Sequence, residues 1–110
     1  MFVADTKLDY LISDFLAYDI PEPAILEQAA EECAELGQAL LKLARILRDE
    51  NPTPVDEHTA IKNVKEELSD VALCMRVLRF APDVSQEEYK CKRWIDRVDS
   101  ANKRKEIDEQ

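Results

Sequence analysis

Two acidic clusters interrupt the most apolar helical runs of this chain, and their spacing is that of metal ligands. Glu31-Glu32-Cys33-Ala34-Glu35 falls inside the run from Ile25 to Leu47. Glu66-Glu67-Leu68-Ser69-Asp70 falls inside the run from Ile61 to Leu78. In each, two carboxylates three residues apart, Glu32/Glu35 and Glu67/Asp70, share one side of a helix and lie within reach of a single ion. Carboxylate oxygen suits hard divalent cations, Mg²⁺ or Mn²⁺, which retain waters and so leave positions open for phosphate. Spacing alone also admits an acidic, solvated groove with partners one turn away. The further pairs Asp96/Asp99 and Glu106/Glu109 read as a solvated face and a tail.

The helices that carry the clusters must bury their other residues. At 100° per residue, Ile25, Ala29, Cys33, Leu36, Leu40, Leu43 and Leu47 form one stripe, with Glu32 inside its edge and Glu35 at its border. Ile61, Val64, Leu68, Val71, Met75 and Leu78 form a second, with Glu67 at its margin and Asp70 one turn on. An unpaired buried carboxylate costs several kcal/mol. Either cations neutralise these four groups, or the helices turn them to water.

Helix punctuation predicts an all-α fold of four helices in a single domain over residues 1–110. The first helix has Leu8, Leu11, Ile12, Phe15 and Leu16 at helical spacing, with Asp5 or Thr6 as cap. Pro21 or Pro23 suits the first turn of the second, which runs from about Glu22 to Asp49. The turn Asn51 to Asp56 separates it from a third helix over about Glu57 to Phe80, capped by Asp56. So short a connection makes the two long central helices an antiparallel hairpin. Ser85 and Glu88 have capping-box spacing for a fourth helix reaching toward Lys105.

A net charge of −9 argues against nucleic-acid binding, which needs a basic footprint. With one glycine in 110 residues, Gly-rich phosphate loops are excluded. Cys33, Cys74 and Cys91 lack zinc or redox spacing and read as reduced core residues of a cytosolic protein. The N-terminus has no signal-peptide pattern, and no run has the length of a membrane span. Di-iron chemistry needs Glu-x-x-His, and the only histidine, His58, stands outside any such motif. Lys42 and Arg45 follow Glu35 on the second helix, while Lys90, Arg93 and Arg97 share a face of the fourth beside Trp94. A basic row beside an aromatic suits an anion with a planar group attached, or else side chains paired with Glu87, Glu88 and Asp96.

The two motifs, E-E-x-x-E on one helix and E-E-x-x-D on the next, resemble the signature of the MazG-like all-α nucleoside triphosphate pyrophosphohydrolases. The resemblance is strongest over about residues 25–80 and extends more loosely to Lys90, Arg93 and Arg97. It implies a four-helix MazG-like bundle assembled as a dimer or tetramer, with sites often completed across subunits. It also implies Glu32, Glu35, Glu67 and Asp70 as Mg²⁺ ligands and cleavage between the α and β phosphates, for nucleotide house-cleaning or pool control. Lys42, Arg45, Lys90, Arg93 and Arg97 are the candidates for holding phosphate oxygens. The rival expectation is a non-catalytic helical scaffold, or a relative that binds nucleotide without hydrolysing it.

Overall fold

The computed structural model describes residues 6–50 and 55–109, and among these the chain is α-helical, with no strand. Four helices follow in order: α1 Lys7–Leu16, α2 Glu22–Leu47, α3 Glu57–Leu78 and α4 Val84–Asp108. The chain divides into two compact units, Met1–Phe80 and Ala81–Gln110. The first contains α1 to α3; the second is α4 with its leading turn.

In the first unit α2 and α3 pack along their length, and α1 touches α3. The seam on α2 is Ile25, Ala29, Glu32, Leu36, Ala39, Leu43 and Ile46, all buried or half-buried. On α3 it is Ala60, Val64, Glu67, Val71, Cys74 and Leu78. Both follow the alternating four-and-three spacing of a coiled-coil seam. Ala29 and Ala60 are 4% and 2% exposed, and these small side chains let the two backbones approach. The stripes expected from a straight helical wheel are therefore displaced. Cys33, Leu40, Leu47, Ile61 and Leu68 are exposed, while Glu32 and Glu67 move from the margin into the seam.

Thr6 caps α1, its hydroxyl accepting the Asp9 amide at 3.1 Å; Asp5 lies outside the described residues. α2 begins after Pro21, with Pro23 in its first turn, where a missing N–H costs nothing. Asp56 caps α3, accepting the Thr59 amide at 2.7 Å. That bond, followed by the one to the Thr59 side chain, holds the Asp56 carboxyl below its ordinary range. The single glycine, Gly37, sits mid-helix in α2 with nothing near an added Cβ. Left-handed backbone therefore falls to Asp19, Asp49 and Arg79, at φ of 56°, 55° and 62°. At Asp49 and Arg79 this closes the helix with paired bonds, Glu50 N–H to Arg45 O and Phe80 N–H to Met75 O, the hydrogen-bonding pattern of a Schellman turn.

In the second unit Asp83, not Ser85, caps α4, accepting the Gln86 amide at 3.3 Å. A carboxylate one residue before Val84 meets the free amides and the positive end of the helix dipole, so Val84 and Ser85 join the first turn. The helix continues past Lys105 to Asp108. No helix of the described residues is long and apolar enough to cross a membrane.

The cysteines are free, but only Cys74 is half-buried. Cys33 is exposed because the seam passes through Glu32 and Leu36, and Cys91 is exposed on a helix with no buried residue. Burial pushes the Cys74 thiol up, and the charges of Glu32 and Asp70 add to the shift.

Candidate metal centre

Antiparallel packing brings the two acidic motifs face to face, in register. Glu35 and Glu67, with Glu32, offer carboxylate oxygens that all lie within 4.8 Å of one another. Asp70 stands near Glu32, close enough for its charge to act on it. Of the four carboxylates, Glu32 and Glu67 are half-buried in the seam, while Glu35 and Asp70 flank it on the exposed side.

Glu32 is held from one turn back, where the Gln28 amide donates to its Oε1 at 2.7 Å. Its other oxygen, Oε2, is buried without a partner, and so is Oε2 of Glu67. Orphaned buried oxygens are rare because each forfeits its hydration. Gln28 favours the charged form of Glu32, but desolvation and the nearby Glu35 and Asp70 together outweigh it and push the carboxyl up. The site thus concentrates negative charge that the protein itself leaves uncompensated.

A divalent cation fits this donor set. Three oxygens no more than 4.8 Å apart leave a point within about 2.8 Å of each, against roughly 2.0–2.1 Å for Mg²⁺–O and 2.3–2.6 Å for Ca²⁺–O. Small side-chain adjustments close that gap. Oxygen-only ligands also favour Mg²⁺, Mn²⁺ or Ca²⁺ over softer ions.

Beyond the carboxylates the seam opens into a polar cleft of about 600 Å³, lined among others by Glu35, Gln38, Lys42, Arg45, Asn63 and Glu67. Among the described residues the one ion pair is Lys92–Asp96 at 2.7 Å on α4, so neither Lys42 nor Arg45 lies within ion-pair distance of a carboxylate there. On the opposite side of the carboxylates lies an apolar groove of about 550 Å³, lined by residues of α1, α2 and α3. Leu11, Phe15, Ile25, Leu73 and Val77 line it, and Gln28 and Cys74 stand at its border with the acids.

Lys90, Arg93 and Arg97 belong to the second unit, all exposed on α4. Arg93 lies over the Tyr89 ring at 5.8 Å. Within the first unit, the structure groups Glu32, Glu35 and Glu67, leaves Asp70 outside that trio but near Glu32, and sets Lys42 and Arg45 in the adjoining cleft. Sequence reasoning missed Gln28, Gln38 and Asn63. Their signal was spacing: Gln28 precedes Glu32 by four residues, Gln38 follows Glu35 by three, and Asn63 precedes Glu67 by four. No family model, no curated protein and no solved structure matches this chain.

Proposed function

We propose that the α2–α3 seam is the active site of a metal-dependent nucleoside triphosphate pyrophosphohydrolase of the MazG-like kind. The observation that carries this reading is the pair of unpartnered, buried carboxylate oxygens on Glu32 and Glu67, in carboxylates that lie with that of Glu35 within 4.8 Å of one another.

Glu32, Glu35, Glu67 and Asp70 hold Mg²⁺ or Mn²⁺. When bound, such an ion neutralises phosphate charge and raises the acidity of water at neutral pH. The chain's own residues supply the rest. Lys42 and Arg45, unpaired at the far end of the polar cleft, take oxygens of the β and γ phosphates. The organic part of the substrate then points toward the apolar groove beyond Gln28. Glu31 or Glu66, next to the ligands and exposed, orients the attacking water. Water attacks the α-phosphorus in line, the bond to the bridging oxygen breaks, and monophosphate and pyrophosphate leave. Lys90, Arg93 and Arg97 are further phosphate contacts in this reading, serving their own or a neighbouring subunit's site. Exposed Leu8, Leu11, Phe15 and Leu73 support assembly into a homodimer or tetramer, and the substrate and the free thiols suit the cytosol.

The test is pyrophosphate release from a panel of canonical and modified nucleoside triphosphates, with Mg²⁺, Mn²⁺ or EDTA, beside the Glu67→Gln variant. Metal-dependent release that collapses in the variant is expected. Silence across the panel, without a metal-dependent melting shift, would replace the enzyme with a non-catalytic helical scaffold.

A further inference from the structure

Gln28 is the only side chain of the described residues that hydrogen-bonds any of the four clustered carboxylates. Its amide donates 2.7 Å to Glu32 Oε1, while Glu32 Oε2 stays buried and unpartnered. Donor and acceptor are four residues apart on α2, so the contact is set by a rigid helical turn. One oxygen of Glu32 is thereby spoken for, while the other is buried with no partner of its own, in a carboxylate that lies with those of Glu35 and Glu67 within 4.8 Å. Gln28 also borders the apolar groove. Glu67, by contrast, has no such partner and depends on packing alone.

We infer that Gln28 is the positioning residue of the metal centre: it holds Glu32 as a one-oxygen ligand and aims Oε2 at the ion. This rests on the metal-site reading above. An amide suits the task because it donates to a carboxylate without adding a positive charge that would compete with the cation. Outer partners of this kind typically change metal affinity by about 10–100-fold when removed.

The test is Mn²⁺ binding to the full chain, followed by the loss of the free-ion electron paramagnetic resonance signal, in wild type and Gln28→Met. Methionine keeps the length and helix propensity of glutamine and cannot donate. Wild-type binding with affinity weakened about tenfold or more in the variant is expected, at an unchanged metal-free melting temperature. Equal affinities would overturn the role of Gln28 and leave the metal centre standing. Absence of Mn²⁺ binding by the wild type would overturn both. Gln28→Asn, whose amide falls one methylene short of Glu32, carries the same expectation should the methionine variant fail to fold.

Discussion

Replacing Glu67 by glutamine should invert the protein's response to divalent metal. In EDTA the variant is expected to be at least as stable as the wild type. Glu67 Oε2 is buried without a partner amid two other carboxylates within 4.8 Å, and an amide there can donate to Glu32 or Glu35 where the carboxylate could only repel. In Mn²⁺ the order reverses. A ligand that binds only the folded state stabilises it by about 2.7 kcal/mol at one hundred times its dissociation constant. The site belongs to the unit Met1–Phe80, and in a unit of that size each kcal/mol moves the melting temperature by about 4–8 °C. The wild type should therefore gain roughly 10–20 °C, whereas the variant, short of one seam ligand, should gain little. Differential scanning calorimetry of both proteins, in EDTA and in graded Mn²⁺, reads the difference directly. A wild-type melting temperature indifferent to millimolar Mn²⁺, or a variant that gains as much as the wild type, would refute the reasoning.

Acid should act on two groups with opposite sign. The folded-state pKa of Glu32 is raised, so its contribution is present in full below the ordinary glutamate value of about 4.3 and is lost as pH rises through the raised value. Asp56 is lowered, so its contribution holds above about 3.9 and is lost as pH falls through the lowered value. Urea midpoints in EDTA should show that Glu32→Gln removes the gain on moderate acidification, and that Asp56→Asn removes part of the loss at lower pH. Arg79→Gly should stabilise the first unit by about 0.5–1 kcal/mol, because glycine takes left-handed backbone without the Cβ penalty; an unchanged or lower urea midpoint would count against that account of the α3 terminus. The double substitution Lys42→Ala/Arg45→Ala should raise KM for triphosphate and weaken inhibition by pyrophosphate without weakening Mn²⁺ binding, since both cations line the same cleft as Glu35 and Glu67 but offer no ligand to an ion. Unaltered KM would remove those cations from the site.

Much of this was legible in the sequence. Prolines and capping residues marked the breaks around α2 and α3, and Thr6 and Asp56 were identifiable as caps. The acidic pairs stood out because carboxylates interrupt apolar runs. The phase of the seam was less accessible. A straight 100° wheel drifts by about 20° per heptad from a 3.5-residue repeat, enough over α2 to exchange Glu32, Ala39 and Ile46 for Cys33, Leu40 and Leu47. Hydrophobicity reinforces the slip, since Cys33 and Leu40 look more like core than Glu32 and Ala39. A heptad reading would have found both glutamates in the seam, at the cost of burying charge there. The cap of α4 was misplaced for a different reason: Asp83 and Ser85 both satisfy the rules for a cap, and local spacing does not choose between them.

The alignment of the hairpin has a mechanical side. As folded, Glu32 meets Asp70 and Glu35 meets Glu67. Sliding α2 by one turn, about 5.4 Å, would break up the cluster, carrying Glu35 from Glu67 toward Val64 and Asp70 from Glu32 toward Ala29. Without a cation, like charges facing each other strain the folded alignment and ease such sliding; the proposed cation would be gripped by the gathered carboxylates in the folded alignment and not in the slid one. The α2–α3 pair would then resist shear along its axis far better when loaded than when empty. A force applied to its two ends would read occupancy of the site as friction between helices.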